Sequence, residues 1–386
     1  MCVPAHAASR SKDMQCPDHL NLYYTTSSEL FICTEILRSR QKSLASDIQS
    51  QPDPARQWMK GDIAMSFSLS TFLQCRFNFV MYRILGWRII LIYISILGKL
   101  YFFFNKKEKW RIKKAVNSVF GDHKHPLEIK SLTRDVFQGI VYHYYEKFVN
   151  AFATPETLKT FLGMHVDGIN MKPLEKGLAK GNGVLLITGH YGGIEFIPAF
   201  LGTNHYPVTI VARFSSERLR RLCCHQADNF SVKVIDGDRT PNIAKAIFAE
   251  LRKNRIVITQ CDEIDEWKPC RHQKIHFLGR QIHLDRTINI LLKRCSAAAV
   301  FGVMHRNREH RYQFTVTSWE EMAARFQRSL DTSIGEVVLK FMENYIYKHP
   351  EEWYQWKKYQ ALDLIACPGD KVKAPSPLSF LEPSVV

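Results

Sequence analysis

The chain has 386 residues, of which 46% are hydrophobic, with 24 Phe and 7 Trp, and this excludes a largely disordered protein. Its formal net charge of +16 favours an anionic partner, such as nucleic acid, an anionic membrane face, an acidic protein or a phosphorylated substrate. The ten cysteines form no C-x-x-C pair, which excludes the usual zinc and thioredoxin spacings and favours a reducing, cytosol-facing location.

Residues 1–64 differ in character from the rest of the chain. They mix polar residues, Pro and short apolar pieces, and they lack the basic-then-apolar plan of a signal peptide. Met65 opens the stretch "MSFSLSTFLQC", which is typical of a natural amino terminus. We predict that translation starts at Met65 and that residues 1–64 are a wrongly assigned start or a disordered leader. Mass spectrometry of the native amino terminus tests this.

The most apolar stretch, residues 77–104, is interrupted by Arg83, Arg88 and Lys99. The ten uncharged residues between Arg88 and Lys99 are fewer than the roughly 20 that a spanning helix needs. Basic side chains can snorkel, however, so a tilted or partly inserted helix fits the pattern. A basic cluster follows, made of Lys106, Lys107, Lys109, Arg111, Lys113 and Lys114. An apolar helix with such a flank is typical of a membrane anchor, predicted here over 65–115. The alternative is a buried core helix beside a solvated basic segment.

Apolar strand-like runs alternate with helical runs in residues 116–365. The predicted strands are 183–188, 207–212, 232–235, 255–259, 298–304 and 312–317. The predicted helices are 132–152, 155–163, 173–180, 193–201, 215–228, 241–253, 285–295 and 331–348. The pattern predicts one α/β domain, with a central, largely parallel or mixed sheet and helices on both faces. Residues 366–386 are rich in Pro and Ser and are predicted to be a loose tail.

One segment, "LLITGHYGGIEFIPAF" at 185–200, runs from a predicted strand into a predicted helix. Ligands of open α/β sheets gather beyond the carboxyl ends of strands, and Gly192 and Gly193 would allow a close backbone approach there. His190 and Glu195 could both point into that crevice. A carboxylate that accepts from one imidazole nitrogen leaves the other nitrogen free as a base. In the alternative interpretation, Glu195 only favours the helix amino terminus and His190 is an ordinary loop residue.

The wider block "LAKGNGVLLITGHYGGIEFIP" resembles the signature of the bacterial lipid A biosynthesis acyltransferases. These are the late, lauroyl- and myristoyl-type enzymes, related to the glycerolipid and lysophospholipid acyltransferases. Their Gly-rich lead, apolar strand and H-x4-D/E motif are matched here by His190 and Glu195. Other blocks resemble the family in the same order, over about residues 66–360: "RIKKAVNSVFGD", "VTIVARFSSERLRRL", "NRIVITQCDE", "KIHFLGRQIHLDRTINILLKRCSAAAVFGVMHR" and "HPEEWYQWKKY".

The chain departs from the family pattern at three places near the motif. Tyr191 and Gly192 stand where a Gly-Asn pair is common, and Ile194 stands where an aromatic residue is common. Glu263 follows Asp262 in place of a Gln or His. The His–Glu pair is intact, but the acyl chain and the acceptor are left open.

The resemblance implies an O-acyltransferase in which His190, oriented by Glu195, is the general base. Arg213 or backbone N–H groups would hold the oxyanion, or Arg213 would bind a phosphate. The further substrate-binding candidates are Gly192, Gly193, Asp262, Arg218, Lys357 and Lys358. Asp262 could equally cap the strand end, and the basic residues could simply be solvated. Trp353 and Trp356 are expected to be core or membrane-interface residues.

The implied partners are an acyl-carrier protein or acyl-CoA as the donor, a glycolipid such as a lipid A precursor as the acceptor, and the cytoplasmic face of the inner membrane. No cofactor, metal ligand set or nucleic-acid motif is expected from the sequence. The alternatives are an acyltransferase acting on a phosphoinositol mannoside, ornithine lipid or lysophospholipid, and a non-catalytic basic lipid-binding protein. A hydrolase is disfavoured because there is no G-x-S-x-G elbow.

Overall fold

The computed structural model describes residues 76–214, 216–307, 311–326 and 333–365. The predicted leader at 1–64 and the predicted tail at 366–386 lie outside these residues.

Helices open the described chain and then alternate with strands. The helices are α1 (Arg76–Phe104), α2 (Lys106–Phe120), α3 (Pro126–Phe152), α4 (Pro155–His165), α5 (Lys172–Ala179), α6 (Ile197–Thr203), α7 (Glu217–Asn229), α8 (Ile243–Arg252), α9 (Thr287–Cys295), α10 (Trp319–Arg325) and α11 (Ile334–Lys348). Short 3₁₀ segments occur at Ile194–Phe196, Ile264–Glu266, Pro350–Glu352 and Tyr354–Ile365. The strands are β1 (Val166–Ile169), β2 (Val184–Thr188), β3 (Val208–Ala212), β4 (Lys233–Asp236), β5 (Ile256–Gln260), β6 (Pro269–Phe277), β7 (Arg280–Asp285), β8 (Ala298–Arg306) and β9 (Tyr312–Ser318).

Seven of these strands form one sheet in the order β1-β9-β8-β2-β5-β3-β4. Every neighbouring pair is parallel except β8 and β9, which are antiparallel. All five residues of β2 are buried, as expected for a central strand covered on both faces. The predicted α/β class, with a largely parallel or mixed sheet flanked by helices, is confirmed. Strand β1 and the separate β6–β7 hairpin are additions that the sequence analysis did not predict.

Helix α3 packs against the Pro350–Glu352 segment near the end of the described chain. Pro126 occupies its first turn, and the side chain of His125 accepts a hydrogen bond from the N–H of Leu127. A Cβ atom at Gly139 would lie only 1.6 Å from the carbonyl oxygen of Glu351. The lack of a side chain at Gly139 therefore lets α3 pass directly against the Pro350–Glu352 turn.

Helix α1 packs along α3 with one of its faces. Phe102 contacts Phe137, Tyr82 contacts Phe148, and the hydroxyl of Tyr145 donates to the carbonyl of Trp87 at 3.2 Å. Its other face is exposed and apolar, and comprises Phe77, Val80, Ile84, Ile89, Ile92, Ile96, Leu100, Phe103 and Phe104. The segment Val80–Phe104 is long and apolar enough to cross a membrane, by length and composition. The predicted amino-terminal apolar helix is thus present, with a kink at Gly86.

Candidate active site

His190 and Asp262 meet because they follow neighbouring parallel strands. Thr188 at the end of β2 is in register with Gln260 at the end of β5, and the N–H of Cys261 donates to the carbonyl of Thr188 at 2.8 Å. The backbone N–H of His190 donates to Asp262 Oδ2 at 2.9 Å. The imidazole Nδ1 lies 2.9 Å from Asp262 Oδ1. A single carboxylate therefore holds both the loop and the ring of His190.

Asp262 is fully buried, and a third donor completes its environment. The indole Nε1–H of Trp353 donates to Asp262 Oδ2 at 2.8 Å. Burial by itself would raise the pKa of Asp262, but the charge of His190 and the hydrogen bonds from His190 and Trp353 outweigh burial, so that the pKa lies below its usual value. An ionised carboxylate only accepts hydrogen bonds, so Nδ1 of His190 carries a proton and Nε2 is the nitrogen that can act as a base.

Glu195 does not occupy the place that the H-x4-E spacing predicts. Its Oε1 lies 3.5 Å from Lys147 Nζ and 3.8 Å from His143 Nε2, both on α3. The prediction that Glu195 orients His190 is wrong, because Asp262 holds Nδ1. The physical reason is the strand order: β5 lies beside β2, whereas Glu195 sits in a 3₁₀ turn whose carboxylate contacts α3.

Two aromatic rings stand between His190 and Glu195. The ring of Tyr354 makes an edge-to-face contact with His190 at a centroid distance of 5.0 Å, and it stacks on His143. The backbone N–H of Tyr354 donates to the carbonyl of His190 at 3.2 Å. Burial, with the nearby charge of Lys147, holds the pKa of His143 well below its usual value. His143 is therefore neutral at pH 7 and packs as an aromatic ring.

The second imidazole nitrogen of His190 faces another acidic residue. Nε2 lies 3.1 Å from Glu263 Oε2, and the other carboxylate oxygen of Glu263 accepts from Lys358 Nζ at 2.6 Å. Asp262 and Glu263 thus contact the two different nitrogens of the same imidazole ring.

Gly192 and Gly193 pack the loop against β8 and the Pro350–Glu352 turn. The N–H of Gly192 donates to the carbonyl of Glu352 at 2.9 Å, and that of Gly193 donates to the carbonyl of Met304 at 2.8 Å. A Cβ atom at Gly192, whose φ is +52°, would lie 2.0 Å from the Met304 oxygen. These two N–H groups are engaged within the protein. A role of this pair in ligand binding stays a prediction.

The predicted basic residues lie at differing distances from the chemistry. Arg213 follows β3, forms an ion pair with Glu266, and has its Nε 3.9 Å from Asp238 Oδ1. It lines the cleft described next, half-exposed, and does not join the His190 cluster. Arg218 is half-buried on α7, and Lys357 is exposed beside Lys358.

An open cleft of about 320 Å³ lies between the end of α3, the segment 194–199, β3 and α7. Its walls are mainly apolar, with Phe148, Ile210, Phe230 and Val232 among them, and Glu195, Lys147 and Arg213 also line it. Cys223 and Gln226 from α7 belong to the same wall. The cleft can take a slender apolar group, and three charged side chains in its walls could contact a polar group attached to it.

Within the described ranges, one group of side chains is close enough to hold a metal ion. His305, His349 and Glu352 each offer a ligand atom, and these atoms lie within 4.8 Å of one another. The carboxylate of Glu352 also lies 2.6 Å from His305 Nδ1 and accepts from the N–H of Arg306 at 3.0 Å. No local spacing in the sequence marks this group, because the two histidines are 44 positions apart. The contact between His305 and Glu352 ties β8 to the Pro350–Glu352 turn.

Sequence reasoning missed the roles of His143, Lys147, Glu263 and Tyr354. Trp353 and Trp356 are fully buried, as the core interpretation predicts, but Trp353 also donates to Asp262. For Glu263 there was a signal, because it replaces the expected Gln or His directly after Asp262. His143 and Lys147 carried no local signal, since they belong to a long helix far from the motif in sequence.

Comparison with known proteins supports the resemblance. Residues 68–358 match the model of the bacterial lipid A biosynthesis acyltransferase family. No curated protein sequence matches the chain. The matched region contains α1, the whole sheet and every residue of the His190 cluster described above. The chain therefore belongs to the bacterial lipid A biosynthesis acyltransferase family, and it is an acyltransferase that acts on a lipid substrate.

Proposed function

We propose that the protein transfers a fatty acyl chain from an acyl thioester to a hydroxyl group of a lipid A precursor or a similar glycolipid. His190 is the general base, and Asp262 holds it. The observation that carries this proposal is the Asp262–His190 pair, in which a buried carboxylate lies 2.9 Å from Nδ1, so that Nε2 is the nitrogen that would act as the base.

The reaction needs a single imidazole. Nε2 takes the proton of the acceptor hydroxyl as its oxygen attacks the thioester carbonyl and the new C–O bond forms. Collapse of the tetrahedral intermediate breaks the C–S bond, and the imidazolium returns the proton to the departing thiolate. The carboxylate of Asp262 stabilises the imidazolium between these two steps, as in other carboxylate–histidine pairs.

The apolar cleft is suited to the acyl chain. Each buried methylene group contributes about 0.8 kcal/mol, so a chain along Phe148, Ile210 and Phe230 would be held mainly by its hydrocarbon. Glu195 lines this cleft with Lys147, and we assign the pair to its polar end instead of to the orientation of His190.

Acyl-carrier protein is the proposed donor. A chain with a net charge of +16 would attract an acidic carrier over long range and raise its association rate. Comparing acyl-carrier protein with acyl-CoA as donors tests this preference, and it should weaken with added salt.

The proposed location is the cytoplasmic face of the inner membrane. The exposed apolar face of α1 would enter the lipid, and the basic residues of α2 would meet anionic headgroups. Because the other face of α1 packs along α3, we propose that α1 lies in the membrane interface and does not cross it.

The experiment is an acyl-transfer assay on purified protein with acyl-carrier-protein and CoA thioesters, a panel of lipid acceptors and mass spectrometry of the products. We expect His190→Ala to lower turnover by about 10²–10⁴-fold, the usual contribution of general base catalysis. Asp262→Asn should lower kcat strongly, because the imidazole loses the partner of Nδ1.

Glu195→Gln is the matched control, since it removes a carboxylate from the same motif without touching His190. It should leave kcat within about tenfold of the parent. If Glu195→Gln proved more damaging than Asp262→Asn, the assignment of Asp262 would be wrong. Full activity of His190→Ala would refute the mechanism.

A further inference from the structure

Glu263 lies between the proposed base and a lysine. Its Oε2 is 3.1 Å from His190 Nε2 and its Oε1 is 2.6 Å from Lys358 Nζ. Glu263 and Lys358 are similarly accessible, with 26% and 29% of their side chains exposed. The pair is thus within reach of a ligand that arrives from solvent.

The position of Glu263 is not compatible with catalysis. Since Nδ1 is held by Asp262, the acceptor hydroxyl must come within hydrogen-bond distance of Nε2. The carboxylate of Glu263 already occupies that distance. Moreover, two carboxylates can both accept a hydrogen bond from the ring only when both ring nitrogens carry protons. A ring in that form cannot take up a further proton from a hydroxyl.

Release of Nε2 therefore requires that Glu263 move away from His190, and an anion that takes its place at Lys358 would repel the carboxylate and favour this movement. A phosphate group is suited to this exchange, because it carries more negative charge than a carboxylate and has three strong acceptor oxygens. Lys357, the neighbour of Lys358 in the chain, is exposed, and it adds a second positive charge for an arriving anion.

We propose that Lys358 is the binding site for a phosphate group of the substrate, and that Glu263 occupies this site in the free protein. Phosphate binding draws Lys358 from Glu263, Glu263 leaves His190, and Nε2 becomes available to the hydroxyl. Glu263, where the family resemblance leads one to expect Gln or His, makes the base dependent on an anionic substrate. This inference rests on the proposed role of His190 as the base.

The first test needs no turnover. Diethyl pyrocarbonate modifies unprotonated imidazole nitrogen, and peptide mass spectrometry reports its rate at His190 in the full chain. We expect slow labelling of the parent, and roughly tenfold faster labelling of Glu263→Gln. Inorganic phosphate should accelerate labelling of the parent but not of Lys358→Gln, whereas sodium chloride at equal ionic strength should not.

Lys253→Gln is the matched control, since Lys253 forms a comparable 3.1 Å pair with Glu250 away from the site. Its response to phosphate should equal that of the parent. Labelling that is insensitive both to phosphate and to Glu263→Gln overturns the inference, even if acyl transfer is observed. Conversely, the expected labelling without any acyl transfer supports the phosphate site while the proposed function fails.

The second test identifies the source of the phosphate. With a phosphorylated glycolipid acceptor, Lys358→Gln should raise KM roughly tenfold, and a dephosphorylated acceptor should remove the difference between parent and variant. If the difference instead persists with that acceptor and disappears with an acyl N-acetylcysteamine thioester, the phosphate belongs to the donor. Equal KM values for parent and variant with every substrate overturn the inference.

Discussion

Asp262 keeps its negative charge in the interior because three donors surround it: the N–H and Nδ1–H of His190 and the indole of Trp353. The lowered pKa of this carboxyl has a consequence for stability. A carboxyl group whose folded-state pKa is below its unfolded value of 3.8 stabilises the fold above that value. The contribution is lost as the pH falls through the folded-state pKa.

Trp353→Phe should therefore change both stability and its pH dependence. The variant leaves a buried carboxylate short of one donor, at a cost of about 1–3 kcal/mol near neutral pH. The folded-state pKa of Asp262 should rise towards its unfolded value of 3.8, so the carboxyl contributes less stability above that pH and the loss of stability in acid should be smaller than in the parent. Urea unfolding between pH 7 and pH 3 measures both effects.

Trp356→Phe provides the control for this measurement. Trp356 is equally buried, but its Nε1–H donates to the carbonyl of Pro350 at 2.7 Å, which does not titrate. This variant should lose stability without a change in the pH dependence. A parallel shift in both variants would mean that the indole of Trp353 does not control the ionisation of Asp262.

At this scale the sequence predicts His190 correctly as a member of the cluster, but assigns it the wrong carboxylate. Glu195 is close in sequence, and local spacing is the only distance that a single sequence displays. Asp262 is 72 residues away and reaches His190 only because β5 pairs with β2. Strand order depends on contacts across the whole chain, so the partner could not be inferred from the motif.

At the scale of elements, α3 is packed against α1 on one side and against the Pro350–Glu352 turn on another. The close approach at Gly139 is the tightest of these contacts, since a Cβ there would meet backbone and not a flexible side chain. Gly139→Ala must displace the turn or the helix. We expect it to destabilise the fold by about 1–3 kcal/mol, as overpacking usually does.

Gly163→Ala is the opposite case on α4, because the added Cβ would meet no atom within 4 Å apart from its chain neighbours and the backbone of its own helix. Replacing a helical glycine by alanine there should stabilise the fold by up to about 1 kcal/mol. Thermal unfolding of Gly139→Ala and Gly163→Ala shows directly whether each substitution lowers or raises the stability of the fold. A neutral Gly139→Ala would show that the turn has room to move away from α3.

The elements that were missed have physical explanations. Strand β1 has four residues and is defined by its parallel pairing with β9, nearly 150 residues later, so no local pattern marks it. The β6–β7 hairpin did carry a signal: the buried Ile275 and Phe277 alternate with less buried residues before the turn, and the buried Ile282 and Leu284 do so after it. Leu278 and Gly279, both with positive φ, form that two-residue turn.

At the scale of the whole molecule, the exposed face of α1 and the basic surface of α2 lie next to each other in the chain. Trp110 on α2 is 58% exposed, as is common for aromatic residues at a membrane interface. We expect the double variant Ile92→Asp/Ile96→Asp to reduce binding to anionic vesicles by at least roughly tenfold, because two apolar side chains that would enter the lipid are lost. Vesicle flotation measures this.

Ile290→Asp on α9 is the control, as it changes an exposed isoleucine outside the α1 face. It should leave vesicle binding unchanged. Ile92 and Ile96 are more than half exposed, so thermal stability in solution should stay near that of the parent. Undiminished flotation of the α1 variant would contradict the interfacial placement of this helix.

Several partners of His190 lie near the end of the described chain, and this late position matters while the protein is being synthesised. Trp353, Tyr354 and Lys358 are translated more than 160 residues after the histidine they surround. A growing polypeptide can thus pair its sheet strands while the reactive ring still lacks its indole, phenol and lysine neighbours. Unfinished chains, or chains clipped before residue 353, would carry His190 without the three side chains that surround it.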